Sequence, residues 1–479
     1  MQDRRAFLAS LASGVAAGAI GRWRLGAFGP HPPSPSQQRG EGEQGGEVRP
    51  SPAQLAWQRD ELAMFLHFGV NTFTDREWGD GTEDPAIFDP AGLDTRQWAR
   101  AARAAGFRAV ILTAKHHDGF CLWPSGVTAH SVAHSPWRGG RGDVVREFVD
   151  ACRAEGLRPG LYLSPWDRNA PVYGDSPRYN DFYVAQLTEL LTRYGSIAEV
   201  WFDGANGEGP NGRRQVYDWP RFFGTVRRLQ PDAVMFSDAG PDIRWIGNEN
   251  GVAGDPNWST VNPDTVPYPG ASGAAIAAML QHGDPQGTAW RPGETDVSIR
   301  PSWFYHAAED ERVKRLDRLT EIYFDSVGRN SKLLLNVPPT RDGLLHATDV
   351  SRIAALHDRI TALFADDVAA GKHLAWQATG RRTAVWELDL GRAVRVGCAR
   401  LEEDIEQGQA IARYTLYARD GRGGGMGGAW RVLSRGQTIG YCKLDRFEPA
   451  TVRRVRLVIE DAVTPPRPVR IRLYEGSGP

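Results

Sequence analysis

Ionisable side chains stand at the ends of three short apolar runs in this sequence. His67 ends one run, the adjacent pair His116 and His117 ends the next, and Asp203 ends a third. Imidazoles with a carboxylate can bind a metal ion, or they can form hydrogen bonds with the hydroxyl groups of a polyol. An aspartate at a strand end is also a common turn residue, and buried histidines can simply satisfy neighbouring polar groups. The residue types alone leave these interpretations open.

Aromatic residues accompany these groups along the chain and favour the polyol. They are Trp78, Tyr162, Trp166 and Trp201. A sugar has a hydroxyl-rich edge and an apolar face, so its binding site combines polar groups with aromatic rings. No further set of metal ligands is evident beside the histidines and Asp118, so we predict no metal and no cofactor. A metal-dependent hydrolase that uses the histidine cluster is the alternative.

Hydrolysis of a glycosidic bond requires two carboxyl groups, one ionised and one protonated. Asp203 is one candidate, and Glu249, which lies beyond the next predicted strand, is the second. The competing carboxyl groups are Glu208, Asp238, Asp255 and Glu294. Glu208 is the strongest competitor because it is close in sequence to Asp203, although its surroundings, rich in Gly, Pro and Asn, indicate a mobile loop.

Helical patterns alternate with short β-rich runs through the middle of the chain. The predicted helix and strand pairs are 95–105 with 107–113, 143–155 with 158–164, 179–194 with 197–203, 219–229 with 233–238, and 309–326 with 332–337. This alternation predicts βα units around a parallel sheet. Because no Gly-rich phosphate loop follows the first strand, we predict an α/β fold with a (β/α)8-type, TIM-like barrel. In such a barrel the catalytic groups lie at the carboxyl ends of the strands.

The pattern changes near the C-terminus to short alternating strands separated by turn residues, which predicts a small β-sandwich. We predict a catalytic barrel over residues 53–368 and the sandwich over residues 369–479. Residues 29–52 are rich in Pro, Gly and Ser, which predicts a disordered linker. Arg4 and Arg5, followed by a weakly apolar run, predict a twin-arginine export signal over residues 1–28 and hence a periplasmic or extracellular protein.

The overall charge composition limits the kinds of partner that this protein is expected to bind. Lys and Arg number 57 and Asp and Glu number 58, so no global field attracts nucleic acid or an anionic membrane. We therefore predict a neutral partner, with no nucleic acid and no membrane bound, and leave the oligomeric state open. The four cysteines lack CxxC spacing, which argues against structural zinc. Cys398 and Cys442 could form a disulfide or stay as free thiols.

The motifs together resemble glycoside hydrolase family 29, the α-L-fucosidases, over most of residues 62–337. His67-Phe-Gly69, Glu77-Trp-Gly79, Lys115-His-His-Asp-Gly-Phe120 and Trp201-Phe-Asp-Gly204 occur in the order of the family. The resemblance implies a retaining hydrolase with Asp203 as the nucleophile. It also implies that L-fucose is bound by His67, Glu77, Trp78, His116, His117, Tyr162 and Trp201.

Two later segments resemble the subgroup that acts on α-1,3 and α-1,4 fucosyl linkages of Lewis-type glycans. They are Arg244-Trp-Ile-Gly-Asn-Glu249 and Ile299-Arg-Pro-Ser-Trp-Phe-Tyr-His306. The resemblance implies Glu249 as the general acid/base, Arg244 as a substrate contact and Trp303 as part of the pocket. The expected partner is a fucosylated oligosaccharide or glycoconjugate. A non-catalytic carbohydrate-binding protein on the same barrel is the alternative outside the enzymes.

Overall fold

The computed structural model describes residues 48–420 and 429–475. The predicted export signal and most of the predicted linker lie outside the described residues. The first described helix, α1 (Pro52–Arg59), begins with a capping box. The Ser51 hydroxyl accepts from the Gln54 backbone N–H, and the Gln54 side chain accepts from the Ser51 backbone N–H. Two backbone donors at the start of the helix are thereby satisfied.

Sixteen strands occur in the described part of the chain. Those of the first two-thirds are β1 (Leu62–Leu66), β2 (Ala109–Lys115), β3 (Arg158–Leu163), β4 (Glu199–Trp201), β5 (Val234–Ser237), β6 (Ile243–Trp245), β7 (Thr260–Val261), β8 (Ala289–Trp290), β9 (Gly293–Ser298) and β10 (Ser331–Asn336). Eight of them form a closed parallel barrel in the order β1-β10-β9-β6-β5-β4-β3-β2, and β7 pairs only with β8. The predicted barrel is confirmed.

Helices cover the outside of the barrel in the connections between strands. They are α2 (Val70–Thr74), α3 (Thr95–Ala104), α4 (Val144–Ala154), α5 (Ser176–Arg193), α6 (Trp219–Leu229), α7 (Ala274–His282), α8 (Leu316–Ser326) and α9 (Ala347–Leu363). Short 3-10 turns occur at Pro85–Ile87, Val132–His134, Trp137–Gly140, Pro263–Thr265, Ala307–Arg312 and Ile405–Gln407. Asp94, Asp143 and Asp218 cap α3, α4 and α6 by accepting backbone N–H groups, which fixes where these helices begin.

The barrel departs from regular alternation between β5 and β6. The connecting residues 238–242 contain no helix, and α7 with the β7–β8 ladder lies instead between β6 and β9. The sequence pattern did not predict β6 or β9. Both strands are short or rich in polar residues, so neither has the apolar run that indicates a buried parallel strand.

Side chains inside the barrel form an apolar cluster of their own, separate from the larger cluster of the surrounding layer. Phe65, Tyr162, Trp201, Phe236 and Leu334 belong to the interior cluster. Their immediate neighbours along the strands, such as Met64, Leu161 and Leu335, belong to the outer cluster. This is the two-residue alternation of a β-strand, and it fixes which strand-end residues point inward.

The C-terminal region is antiparallel. Its strands are β11 (Leu374–Ala378), β12 (Ala384–Glu402), β13 (Ile411–Arg419), β14 (Arg431–Gly436), β15 (Lys443–Ala462) and β16 (Arg470–Tyr474). They pair in the order β11-β12-β15-β13-β14, and β16 also pairs with β12. The register between β12 and β15 shifts twice, and such bulges bend a long strand. The fold class, a barrel followed by a small C-terminal β-sandwich, is confirmed.

Buried polar contacts join the sandwich to the barrel. The Tyr441 backbone N–H donates to Asn330 Oδ1 at 2.9 Å, and the Tyr441 hydroxyl donates to the Ser331 carbonyl at 2.8 Å. All four cysteines are buried and free, so Cys398 and Cys442 do not form a disulfide. Of the helices in residues 48–420 and 429–475, none has the length and apolar character required to cross a membrane.

Candidate active site

The carboxyl ends of the barrel strands bring together most of the predicted site residues. His67 lies two residues beyond inward-facing Phe65, and Asp203 lies two residues beyond inward-facing Trp201. Because side chains alternate along a strand, both residues point toward the barrel axis. Asn336, the last residue of β10, lies two residues beyond inward-facing Leu334 and therefore also points toward the axis. Polar groups from opposite sides of the barrel therefore meet above the apolar interior cluster.

Asp203 is the carboxylate at the floor of this site. Its side chain is buried, with 6% of its surface exposed. The Tyr162 hydroxyl donates to Asp203 Oδ2 at 3.1 Å, and the Ala205 backbone N–H donates to Asp203 Oδ1 at 2.7 Å. His117 Nε2 lies 3.9 Å from Oδ2. Each oxygen has its own donor, so the orientation of the carboxylate is fixed.

The two adjacent histidines occupy different places in the site. His117 Nδ1 donates to Ser164 Oγ at 2.7 Å, because the Ser164 hydroxyl is itself used in donating to the Trp166 carbonyl. His116 stacks on Tyr162 with an interplanar angle of 17° and contacts His67, whose ring centroid lies 5.6 Å away. Within residues 48–420 and 429–475, no group of three or more His, Cys, Asp or Glu side chains is arranged to hold a metal ion.

His67 has a defined tautomer. Asn336 donates through Nδ2 to Ser298 Oγ at 2.9 Å and to the Trp303 carbonyl at 2.8 Å, so its Oδ1 faces His67. His67 Nδ1 therefore donates to Asn336 Oδ1 at 2.8 Å. Burial lowers the pKa of His67 to about 4, against the smaller opposing effects of Asn336, Glu77 and Asp203. A neutral His67 with its proton on Nδ1 presents Nε2 as a hydrogen-bond acceptor.

A network around Glu77 holds one wall of the site. The Glu77 carboxylate accepts the backbone N–H groups of Trp303, at 2.6 Å, and Phe304, at 3.2 Å. His306 Nε2 lies 3.5 Å from Glu77 Oε2, and its Nδ1 lies 2.8 Å from Asp75 Oδ1. These carboxylates, Glu77 first, raise the pKa of His306 to about 9 against the effect of its burial. The Trp303 ring lies 5.0 Å from that of His67, so Glu77 fixes an aromatic residue of the pocket.

The other wall of the site is also aromatic. Trp78 contacts the rings of His117 and Trp166 edge-on at 5.9 Å and 6.0 Å. Trp201 stacks on Phe236 with ring centroids 3.9 Å apart, and its Nε1 donates to Glu294 Oε2 at 3.0 Å. The site thus combines a buried carboxylate, three imidazoles and several aromatic rings, which is the composition of a sugar-binding pocket.

A family model described as alpha-L-fucosidase matches residues 82–358, more than half of the 479-residue chain. The chain belongs to the α-L-fucosidases of glycoside hydrolase family 29. Alpha-L-fucosidase 1 of Arabidopsis thaliana is 41% identical over 452 residues, which cover 89% of this chain and 87% of that protein.

Solved structures of this fucosidase family share the fold. A glycoside hydrolase 29 family member from an unknown rumen bacterium superimposes with a TM-score of 0.82 at 40% identity, over 90% of this chain and 78% of that one. A glycoside hydrolase 29 fucosidase of Ruminococcus gnavus, crystallised in complex with fucose, gives a TM-score of 0.79 at 30% identity. That match covers 91% of this chain and 97% of the other.

Arg244 does not join the pocket of this fucosidase. Only 1% of its surface is exposed, and its Nη2 donates to Asn257 Oδ1 at 2.7 Å while its Nε donates to the Leu280 carbonyl at 3.0 Å. A third contact is to the Arg291 carbonyl. Burial lowers the pKa of Arg244 to about 9. This geometry does not support the prediction that Arg244 contacts substrate, because its buried guanidinium bonds to Asn257, Leu280 and Arg291, which are not among the site residues.

Glu249 lies in the loop that follows β6, two strands from β4 in the barrel order and at the same end of the barrel. Its side chain is half-buried. The loop is held by Asn248, whose Nδ2 donates to the Val252 carbonyl at 2.8 Å and to Gln281 Oε1 at 3.1 Å. Glu249 is therefore carried on a short, internally bonded segment at the carboxyl end of β6.

The competing carboxyl groups have other surroundings. Glu208 is exposed, and Asp255 forms an ion pair with Lys443 at 2.7 Å. Asp238 Oδ2 accepts the Gly270 backbone N–H at 3.1 Å. Glu294 lies near the amino end of β9, where burial, aided by the charge of Glu199, raises its pKa well above the usual range. Asp238 lies beside Asp203, since its Oδ2 would be 2.8 Å from a Cβ atom added at the adjacent Gly204.

Sequence reasoning missed several residues of the site. Asn336 sets the tautomer of His67, and Ser164 orients His117. Asp296, buried in β9, accepts the Trp245 Nε1–H at 2.7 Å and so positions another ring at the barrel interior. Asn336 is the last residue of β10 and Ser164 directly follows β3, so an inspection of every polar residue at a strand end would have found both.

Proposed function

We propose that this chain hydrolyses terminal α-1,3- and α-1,4-linked L-fucose in glycans with retention of configuration. The observation that carries the proposal is the buried carboxylate of Asp203, fixed by the Tyr162 hydroxyl and the Ala205 N–H at the floor of an aromatic pocket. A nucleophile must be held in line with the carbon that it attacks, and two separate donors restrict this carboxylate to one orientation.

In the proposed reaction an Asp203 oxygen attacks the anomeric carbon of fucose while the glycosidic C–O bond breaks. Glu249 donates its proton to the leaving oxygen. Glu249 then removes a proton from a water molecule, whose oxygen attacks the same carbon and releases Asp203. Two displacements at one carbon return the original configuration. Retaining enzymes hold the two carboxyl groups about 5 to 5.5 Å apart, so Glu249 must come this close to Asp203 when substrate is bound.

Imidazole side chains are proposed to recognise the fucose hydroxyl groups. His67 presents Nε2 as an acceptor because its Nδ1 proton is used by Asn336. A substrate hydroxyl can donate to this nitrogen without any proton transfer. The rings of Trp303 and Trp201 supply apolar surface for the face of the sugar. The fucose complex of the Ruminococcus gnavus relative supports a fucosylated glycan as the partner.

The linkage preference rests on the two segments that resemble the α-1,3/1,4 subgroup, 244–249 and 299–306. A panel of α-1,2-, α-1,3-, α-1,4- and α-1,6-linked fucosides tests it, with free fucose measured for the wild type and Glu249→Ala. We expect release from the α-1,3 and α-1,4 linkages only. Release from α-1,2 or α-1,6 linkages at equal rates would contradict the linkage preference. Binding without any release would instead favour the non-catalytic carbohydrate-binding protein.

The role of Glu249 has its own test in the dependence on leaving group. Substrates with poor leaving groups need the proton most, so Glu249→Ala should slow the oligosaccharides far more than α-L-fucosyl fluoride. Glu208→Ala is the matched control and should leave both rates unchanged. Equal losses on both types of substrate in Glu249→Ala would assign the proton donor to another residue.

We also propose export by the twin-arginine route, on the basis of residues 1–28, which lie outside the described residues. N-terminal sequencing of the mature protein tests it, and an intact Met1 on protein recovered from the cytoplasm would contradict export.

A further inference from the structure

Two loops touch backbone to backbone beside Asp203. Gly204 follows Asp203, and Gly270 belongs to the connection between β7 and α7. A Cβ atom added at Gly270 would lie 2.2 Å from the Gly204 carbonyl oxygen, and one added at Gly204 would lie 2.5 Å from the Gly270 nitrogen. Gly270 also has φ +86°, a conformation that other residues rarely adopt. Both positions therefore require glycine, and the second loop is held against the residue next to the proposed nucleophile.

A third loop fixes this contact. Asp238, directly after β5, accepts the Gly270 backbone N–H at 3.1 Å. The turn is closed by the Ala271 backbone N–H, which donates to the Tyr268 carbonyl at 3.1 Å. Tyr268 itself stands between Pro267 and Pro269, and proline fixes the backbone angle φ at each of those positions. The two prolines thus restrict the backbone of the loop that carries Tyr268, and the bond to Asp238 anchors this loop at the carboxyl end of β5.

Tyr268 leaves a large aromatic ring in solvent at this anchored position. Its side chain is 56% exposed. Among the residues that the structure describes, Trp376 of the C-terminal sheet is the other strongly exposed aromatic residue, at 44%. An aromatic ring that is held in advance two residues from the contact between Gly270 and Gly204 can stack on the apolar face of a pyranose at little cost in conformational entropy.

We propose that Tyr268 is a specificity-determining residue that stacks on the neutral pyranose to which fucose is linked. The inference rests on the proposed function, because it assigns the ring to the leaving-group side of the same site. Tyr268 then contributes to the binding of oligosaccharides and contributes nothing to a substrate whose leaving group has no ring.

The test compares Tyr268→Ala and Tyr268→Phe with the wild type on two substrates, a Lewis-type α-1,3/1,4 fucosyl trisaccharide and α-L-fucosyl fluoride. Tyr268→Ala should lower kcat/KM for the trisaccharide by about 3- to 12-fold, mainly through KM, as expected for the loss of one aromatic stacking contact. The rate on the fluoride should stay within about 2-fold, and Tyr268→Phe should keep most of the trisaccharide rate. Trp376→Ala is the matched control on an exposed aromatic residue of the other domain and should change neither rate.

Two results would overturn the inference. An unchanged trisaccharide KM in Tyr268→Ala would show that the ring makes no contact with substrate. Equal losses on both substrates would show that the residue only supports the loop beside Asp203. Failure of the wild type to turn over either substrate would refute the proposed function itself, and the inference with it, whereas the ratio between the two substrates tests Tyr268 alone.

Discussion

The pair formed by His67 and Asn336 allows the proposed recognition of fucose to be tested through pH. In the wild type, burial holds the pKa of His67 near 4, so at pH 6 roughly one molecule in a hundred carries an imidazolium at this position. Asn336→Asp replaces the neutral acceptor of the Nδ1–H by a carboxylate at the same distance. An opposite charge this close raises the pKa of a histidine by about 1 to 3 units, or about 1.4 to 4 kcal/mol in favour of the charged form.

The consequence for activity has a definite sign. An imidazolium carries a proton on Nε2 as well and can no longer accept a hydrogen bond from a substrate hydroxyl. The acid limb of kcat/KM should therefore move up by about 1 to 3 pH units in Asn336→Asp, measured on α-L-fucosyl fluoride between pH 4 and 8. Activity would be lost as the pH falls through the new, higher pKa of His67 and recovered above it.

Asn336→Leu is the matched control. Both variants lack the amide group that donates through Nδ2 to the Trp303 carbonyl in the wild type. A buried acceptor that is left without its donor costs about 1 to 3 kcal/mol. That loss lowers kcat/KM at every pH, whereas only the aspartate adds a charge. Identical acid limbs in the two variants, or a His67 pKa near 6.5 in the wild type by NMR, would refute the reasoning.

Three further changes test other parts of the structure. Arg244→Leu should lower the free energy of unfolding by about 3 kcal/mol, since three carbonyl acceptors, two of them buried, lose their donor, while KM of the folded enzyme stays unchanged. A raised KM with normal stability would instead identify Arg244 as a substrate contact. Burial raises the pKa of Glu294 well above the usual range, so Glu294→Gln, which keeps an acceptor for the Trp201 Nε1–H, should change thermal unfolding little. Glu294→Leu loses this bond and should cost about 1 to 2 kcal/mol, and equal effects of the two changes would contradict the reasoning. Burial raises the pKa of Asp118 from 3.8 to about 7, so the folded protein holds a proton on this carboxyl group at pH values where the unfolded chain has lost it. The stability that this proton contributes is complete below pH 3.8 and lost as the pH rises through 7. In denaturant titrations, the free energy of unfolding of Asp118→Asn should therefore rise relative to that of the wild type by up to about 4 kcal/mol between pH 4 and 8. A difference between the two proteins that does not change with pH would contradict the raised pKa.

Much of the fold follows from sequence patterns with simple physical causes. The apolar runs that end in His67, Lys115 and Asp203 are buried parallel strands, and the carboxyl ends of such strands meet at one end of a barrel. That rule is enough to bring His67, His117 and Asp203 together without knowledge of any relative.

Other parts of the site could not be read from the sequence because they depend on distant or short segments. Asn336 lies 269 positions after His67, and nothing local indicates that its amide fixes the imidazole tautomer. Arg244 was assigned to the pocket by its likeness to a motif, but β6 has only three residues. Ile243 and Trp245 face the interior cluster, so the residue between them must face outward. A shift of one residue in that short strand would have reversed the assignment.

The identity of the nucleophile is tested most directly by trapping the covalent intermediate. In 2-deoxy-2-fluoro-α-L-fucosyl fluoride the ring fluorine slows both displacements and the good leaving group preserves the first, so a fucosyl ester accumulates on a retaining enzyme. Proteolysis and mass spectrometry of the inactivated wild type should locate the added fluorofucosyl group on the peptide that contains Asp203, and on that residue within it. A label on another carboxylate, or no label on an enzyme that turns over fucosides, would contradict the account.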